Sequence, residues 1–131
     1  MTDKPLVLVA DDDLDILDLV SMRMELFGYR VVQARAGDEA LELALERRPE
    51  LIVLDVMMPG LTGYEVTERL RATAETATVP ILLLTASVRE EHEARGRAVG
   101  ASAFMRKPFE APALEECVRS LLAPGTAEAA T

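Results

Sequence analysis

Short apolar runs alternate with segments of helical periodicity along this chain, and that alternation restricts the fold more than any other feature. Continuous apolar runs of this length are typical of strands that are buried on both faces of a parallel sheet. The runs are Leu6–Ala10, Val31-Val32 with its neighbours, Leu51–Leu54, Ile81–Leu84 and, more weakly, Ala101–Met105. Because the crossover between parallel strands is right-handed, repeated strand–helix units predict a parallel sheet with helices on both faces.

Apolar residues spaced by three or four predict a helix after each run. The stripes comprise Ile16, Val20, Met24 and Phe27; Ala40, Leu41, Ala44 and Leu45; Val66 and Leu70; and Leu114, Cys117, Val118, Leu121 and Leu122. The fourth helical segment, Arg89–Val99, contains Gly96, many charges and little apolar surface, so we expect it to be the least firmly packed helix.

Residues that favour helix ends flank the predicted helices. Asp13 is the expected N-cap of the first helix, and Gly28 is expected to end it in a left-handed conformation. Gly37 or Asp38 begins the second helix and Pro49 follows its end. These signals fit one domain of strand–helix units.

Composition excludes several classes of protein. The 131 residues suit one domain, half of them are hydrophobic, and a net charge of −9 argues against direct nucleic-acid binding. No apolar run is long enough to cross a membrane, so no membrane insertion is expected. The single cysteine, Cys117, cannot form an intrachain disulfide, and this favours a cytoplasmic location. Cys117 also fits the apolar face of the last helix. His92, the only histidine, is expected to be solvated.

Polar residues follow the predicted strands at the edge where ligands bind in open α/β sheets. Asp11, Asp12 and Asp13 follow the first strand, Asp55 ends the third, Thr85 ends the fourth with Ser87 just beyond, and Lys107 follows the fifth. Crowded carboxylates repel one another and need a cation, and hard oxygen ligands select Mg²⁺, Mn²⁺ or Ca²⁺ over soft metals. A lysine and a hydroxyl would bind the oxygens of a phosphoryl group, and an aspartate can be its nucleophile.

Four separated motifs in this order resemble the receiver domains of bacterial two-component response regulators. They are Val9-Ala10-Asp11-Asp12-Asp13, Leu54-Asp55-Val56-Met57-Met58-Pro59-Gly60, Leu84-Thr85-Ala86 and Lys107-Pro108-Phe109, and the resemblance covers roughly Lys4 to Leu122. It implies a flavodoxin-like, doubly wound (βα)5 fold with a five-stranded parallel sheet in the order 2-1-3-4-5. Residues 1–122 would form the receiver domain, and residues 123–131 a flexible tail or the stub of a linker.

The resemblance also implies a role for each matching residue. Asp55 would be the phosphoacceptor, and Asp12 would bind Mg²⁺ directly, with Asp11 bound to it through water. The main-chain carbonyl of Met57 would be the third protein ligand. Thr85 would bind a phosphoryl oxygen.

Two further residues follow from the same resemblance. Lys107 would form the salt bridge of the site, directed into it by a cis peptide bond with Pro108. Phe104 would be the aromatic switch residue that turns inward as Thr85 moves. Phosphorylation would then reshape the face made by the fourth helix, the fifth strand and the fifth helix.

The partners implied are a sensor histidine kinase or a phosphotransfer protein, and a downstream protein that recognises this face; a homodimer is a further possibility. The chain could be a free-standing receiver or the receiver part of a longer protein. It would not be an enzyme beyond slow autophosphatase activity.

Met57, two positions after Asp55, is the most informative departure from common receiver patterns, because an apolar side chain cannot orient a water. We expect slow self-dephosphorylation, a property that Ser87 also tunes in the family. Thr62 and Leu14 are departures that we interpret as neutral.

Three alternatives remain in view. A Mg²⁺-dependent aspartyl-phosphate phosphohydrolase would need a general acid where Met57 stands. A flavodoxin-like nucleotide or flavin carrier would need a phosphate-binding loop where three aspartates stand. A receiver that has lost phosphorylation would not be expected to retain the whole residue set.

Overall fold

The computed structural model describes residues 4–86 and 90–123, except for the side chains of Glu90 and Glu91. Its five strands form one sheet in which every pair of neighbours is parallel, in the order β2-β1-β3-β4-β5. The strands are β1 (Leu6–Ala10), β2 (Arg30–Ala34), β3 (Leu51–Asp55), β4 (Ile81–Thr85) and β5 (Ala103–Arg106). The predicted fold class and strand order are confirmed.

A helix follows each strand, as the apolar stripes predict. The helices are α1 (Leu14–Leu26), α2 (Gly37–Arg47), α3 (Gly63–Arg71), α4 (Glu90–Ala98) and α5 (Ala111–Leu122). A 3-10 turn at Ala74–Thr76 was not predicted, and β5 begins two residues later than the sequence pattern indicates. Ser87, Arg89 and the predicted tail after Ala123 lie outside the described residues.

The core consists of two clusters, one on each face of the sheet. Leu8, Ile52 and Leu83 face α2 and α3, whereas their neighbours Val7, Val53 and Leu82 face α1 and α5. Successive residues of a strand point to opposite faces, so a strand covered on both sides must be apolar throughout. All residues of β1, β3 and β4 are buried, which explains their continuous apolar runs.

The helix ends match their sequence signals in most places. The Asp13 carboxylate accepts hydrogen bonds from the main-chain N–H groups of Asp15 and Ile16, and Gly28 has φ +102° after α1. At the end of α2, Arg48 adopts the left-handed conformation one residue before Pro49. Leu45, which the sequence places in the apolar stripe of α2, lies at the edge of that stripe and is 37% exposed.

The weak packing predicted for the fourth helix is confirmed for the part of α4 whose side chains are described. From His92 to Ala98 only Gly96 is buried. Within the described ranges, no helix combines the length and the apolar character that crossing a bilayer requires.

Candidate functional site

The topology of the sheet brings three carboxylates together at the carboxyl ends of its central strands. Asp55 ends β3, and Asp11 and Asp12 directly follow β1, which pairs with β3. Asp11 and Asp55 are buried whereas Asp12 is exposed, and oxygens of the three carboxylates all lie within 4.8 Å of one another. One Asp11 oxygen also accepts a hydrogen bond of 2.9 Å from the main-chain N–H of Asp13.

Lys107 bridges the two buried carboxylates. Its Nζ lies 2.9 Å from Asp11 Oδ2 and 3.0 Å from Asp55 Oδ1. The peptide bond between Lys107 and Pro108 is cis, as predicted, and the Lys107 N–H donates to the Thr85 carbonyl at 2.7 Å. The lysine that follows β5 is thereby anchored to the end of β4 while its side chain reaches the strand ends at the centre of the sheet.

Burial and charge perturb both partners of this ion pair. Burial raises the pKa of Asp55 to about 6; Lys107 opposes the shift, and the nearby Asp11 and Asp12 charges add to it. For Lys107, burial lowers the pKa, but its hydrogen bonds to Asp11 and Asp55 outweigh burial and hold the pKa above its ordinary value. The ammonium therefore keeps its charge and leaves a carboxylate cluster that is incompletely neutralised.

Thr85 is buried at the end of β4, beside the end of β3. Asp55 and Leu84 are register partners, and the Val56 N–H donates to the Leu84 carbonyl at 2.9 Å. Thr85 also lines a cleft whose other walls are Met57 and Tyr64, and His92 and Arg95 of α4. The side chain of His92, which the sequence predicts to be solvated, is partly exposed at the wall of this cleft.

The loop after β3 presents Met57 to solvent, with its side chain 69% exposed. Close backbone contacts fix both sides of this loop. The Gly63 N–H donates to the Val56 carbonyl at 2.8 Å, and the Gly37 N–H at the start of α2 donates to the Pro59 carbonyl at 3.0 Å. The segment that carries the Met57 carbonyl is thus held between α2 and α3.

Phe104 does not join the carboxylates. It is half-buried on β5, in register with Leu83, and its ring contacts the position of Gly96 on α4. Phe104 thus lies between the sheet and α4, where a change in the position of its ring would alter the packing between them.

Sequence reasoning missed two contributions from α3. Thr62, interpreted as neutral, is the N-cap of α3 and forms a reciprocal capping box with Glu65. The Thr-x-x-Glu spacing was a readable signal for it. Tyr64, whose hydroxyl donates to the His92 carbonyl at 3.1 Å, had no comparable signal, because its partner is a main-chain atom 28 residues away.

The donor set suits a small divalent cation. The clustered ligand atoms are hard carboxylate oxygens, two of the three side chains are buried, and one ammonium cannot neutralise three carboxylates. Mg²⁺ is commonly held by one or two carboxylates, with water and phosphate oxygens completing its octahedron.

Comparison with known proteins gives one consistent result. The family model of the response regulator receiver domain matches residues 7–119. The DNA-binding dual master transcriptional regulator RpaA of a Synechocystis strain is 41% identical over 118 residues, which cover 90% of this chain and 49% of that protein. The chain spans about half the length of the curated relatives it matches.

Solved structures agree with the family match. The chemotaxis response regulator CheY4 of Vibrio cholerae has a TM-score of 0.86 at 35% identity, covering 91% of this chain and 99% of that one. The receiver domain of the sensor histidine kinase PA1611 from Pseudomonas aeruginosa has a TM-score of 0.85 at 25% identity, covering 91% and 98%; it has a magnesium ion coordinated in its active site cleft.

The fold and the acidic site define a receiver of the two-component type. The chain belongs to the response regulator receiver domain family, whose members are phosphoacceptors in signal transduction.

Proposed function

We propose that Asp55 is the phosphoacceptor of this receiver and that Lys107 and Thr85 bind the transferred group. The observation that carries the proposal is the bridge from Lys107 Nζ to both buried carboxylates, at 2.9 Å and 3.0 Å. An ammonium in that position pairs with the Asp55 carboxylate before the transfer and can pair with the phosphoryl oxygens after it. Thr85, at the end of the adjacent strand, is suited to donate to another of those oxygens.

The reaction is a phosphoryl transfer in which an Asp55 oxygen attacks phosphorus. The new O–P bond forms an acyl phosphate, and the bond from phosphorus to the donor, a histidine nitrogen of the partner, breaks with its electrons passing to that nitrogen. The transfer needs Asp55 in its ionised form. With a pKa of about 6, it is mostly ionised at neutral pH even before a cation adds to Lys107.

The cation site belongs to the same proposal. Asp12, Asp55 and the Met57 carbonyl would hold Mg²⁺, with Asp11 acting through water and Mn²⁺ as an alternative, and the bound ion would neutralise developing charge on the phosphoryl oxygens. Asp11 meanwhile accepts from Lys107 and from the Asp13 N–H, so it is already oriented towards the site.

The direct test is incubation with Mg²⁺ and acetyl phosphate followed by intact-mass spectrometry. We expect one phosphoryl adduct that is labile in base. Asp55→Asn should abolish it, whereas the matched change Asp15→Asn, at an exposed acid in the first turn of α1, should leave it unchanged. Absence of an adduct on the wild-type protein would refute the assignment.

The proposed output is a change in the face made by α4, β5 and α5. Thr85 moving towards the phosphoryl group would allow Phe104 to turn inward, a two-state change biased by a local charge. The donor would be a histidine kinase or a phosphotransfer protein, and the reaction would take place in the cytoplasm. A protein target, or a second copy, would read the altered face.

Two further points concern the extent of the receiver and the alternative of an enzyme. We propose that the receiver comprises residues 1–122, either free-standing or as part of a longer regulator. The phosphohydrolase alternative gains no support, since Met57 stands where its general acid would be and the family match is to receivers.

A further inference from the structure

Helix α4 gains little from apolar packing of its own. Among its described side chains, only Gly96 is buried, and a glycine contributes no side chain to the core. A Cβ built on Gly96 would lie 2.9 Å from Phe104 Cδ2, so the helix approaches the ring closely without interlocking with it. Other contacts must therefore fix where α4 lies.

One buried side chain of α3 supplies two such contacts. The Tyr64 hydroxyl donates to the main-chain carbonyl of His92 at 3.1 Å, and the Arg95 guanidinium lies 4.5 Å from the centroid of the Tyr64 ring. Both partners belong to α4, His92 in its first turn and Arg95 in its second. Burial raises the pKa of Tyr64 above its ordinary value, so the hydroxyl remains a donor throughout the physiological range.

Tyr64 follows a glycine that is in close contact with the main chain at the end of the phosphoacceptor strand. Its neighbour Gly63 donates to the Val56 carbonyl at 2.8 Å, and a Cβ on Gly63 would lie 2.6 Å from the Asp55 carbonyl oxygen. The first turn of α3 is therefore packed directly against the main chain of Asp55 and Val56. Tyr64 also lines the same cleft as Thr85, so a displacement of Thr85 changes the surroundings of Tyr64. We call the two contacts of Tyr64 with α4 the tether.

We propose that Tyr64 is a positioning residue that holds α4 in its unmodified position, through the His92 carbonyl and the Arg95 guanidinium, and thereby opposes the phosphorylated conformation. The inference rests on the phosphoacceptor function proposed above. A contact made in only one of two states shifts their equilibrium by its own strength. Removing the contact should therefore favour the phosphorylated conformation.

The test uses beryllofluoride with Mg²⁺ as a mimic of the phosphoryl group. Binding is followed through the amide NMR signals of Gly100 and Ala103, which flank α4 without belonging to it. Tyr64→Phe removes the hydroxyl and keeps the ring, and should lower the beryllofluoride midpoint by roughly two- to tenfold, the usual range for one hydrogen bond. Tyr29→Phe, the same change at the only other tyrosine, should leave the midpoint unchanged.

A second variant separates the two contacts. Arg95→Gln removes the charge over the ring and retains the hydroxyl bond, so it should also lower the midpoint, by roughly two- to fivefold for a partly exposed pair of this kind. Arg47→Gln, at an exposed arginine in the last turn of α2, serves as its control and should have no effect.

Hydrogen exchange of α4 in the metal-free, unmodified protein gives a readout that does not depend on phosphorylation. Tyr64→Phe should accelerate exchange of the amides from Arg95 to Ala98, and Tyr29→Phe should not. An unchanged or raised beryllofluoride midpoint for Tyr64→Phe, with reduced thermal stability, would show a purely structural residue and overturn the proposal.

The two proposals can fail separately. A wild-type protein that neither binds beryllofluoride nor accepts a phosphoryl group from acetyl phosphate would refute the phosphoacceptor function. Unchanged exchange in α4 of Tyr64→Phe would refute the tether, whatever the outcome for Asp55.

Discussion

At the scale of single residues, the environment of Asp55, the proposed phosphoacceptor, has a cost in stability. Burial of its carboxylate raises the pKa from the ordinary 3.8 to about 6; Lys107 opposes the shift, and the nearby charges of Asp11 and Asp12 add to it. A folded protein that binds a proton more tightly than the unfolded chain loses stability as the pH rises between the two pKa values. The same environment that calls for a cation therefore destabilises the metal-free fold at neutral pH.

Asp55→Asn should stabilise the metal-free protein in a pH-dependent way. Below 3.8 both states of the wild type are protonated at Asp55 and carry no charge penalty; the penalty grows between 3.8 and about 6 and is constant above. The free energy of unfolding of the variant, relative to wild type, should rise across this window and then level off. Urea titrations in EDTA at several pH values measure it, with Asp15→Asn as the control. A difference in the free energy of unfolding between Asp55→Asn and wild type that is independent of pH would contradict the raised pKa of Asp55.

We predict that Met57 influences how long the phosphoryl group persists. Its side chain is 69% exposed at the mouth of the site and offers no group that could orient an attacking water. Met57→Asn should shorten the lifetime of the acyl phosphate by roughly two- to tenfold, the range for one hydrogen bond that orients the attacking water. The decay of the adduct, followed by intact mass after removal of acetyl phosphate, is the measurement. Met22→Asn, at an exposed methionine of α1, is the matched control, and equal lifetimes for Met57→Asn and wild type would disprove the hypothesis.

At the scale of elements, the loop between β3 and α3 depends on α2 for its position. The Gly37 N–H donates to the Pro59 carbonyl, and a Cβ on Gly37 would lie 1.8 Å from the Leu61 carbonyl oxygen. That distance is far inside van der Waals contact, and the opposing atom is backbone, so only glycine permits this approach. The start of α2 thereby supports the segment that carries the Met57 carbonyl.

Gly37→Ala should therefore impair the cation site as well as the fold. Separating α2 from the loop should cost at least about 2 kcal/mol of stability, and displacing the Met57 carbonyl should weaken Mg²⁺ binding by roughly tenfold. Urea unfolding and isothermal titration with Mg²⁺ measure the two effects.

Gly28→Ala is the control for that variant. Its Cβ would meet no atom within 4 Å, but its φ of +102° is strained for alanine, so stability should fall by about 1 kcal/mol with Mg²⁺ affinity unchanged. Equal Mg²⁺ affinities for Gly37→Ala and wild type would show that the loop keeps its position without α2.

The elements that could be predicted from the sequence are those whose residues carry a local signal. The runs of β1, β3 and β4 are apolar because both faces are covered. The acids at the ends of β1 and β3 and the hydroxyl at the end of β4 converge because parallel strands end at one edge. β5 was less well predicted: all its described residues are only partly buried or exposed, which weakens the pattern.

Contacts between distant residues had no such signal. Tyr64 reads as one more apolar residue of α3, and its link to the His92 carbonyl exists only once the chain has folded. The close approach of Gly37 to Leu61 could not be predicted either, because a glycine at the start of a helix is explained by its position at the helix end alone. The residue types of the site were therefore predictable, whereas the contacts that hold its loop and α4 in place were not.

At the scale of the whole molecule, the distribution of negative charge is expected to make the stability of the fold depend on a bound cation. The chain carries a net charge of −9, and three of its carboxylates lie within 4.8 Å of one another at one edge of the sheet. Any salt screens the general repulsion, whereas only an ion bound in the cluster stabilises the folded state by mass action.

MgCl₂ should therefore raise the melting temperature more than NaCl at equal ionic strength. A ligand at one hundred times its Kd stabilises the folded state by about 2.7 kcal/mol, which for a domain of this size corresponds to roughly 5–15 °C. Thermal unfolding followed by circular dichroism measures the shift. Asp12→Asn removes an exposed ligand at little cost to the fold, so it should lose most of the Mg²⁺-specific increment and keep the response to NaCl. Equal responses of wild type to the two salts would show screening alone, and the carboxylates would then be neutralised by Lys107 without a specific cation.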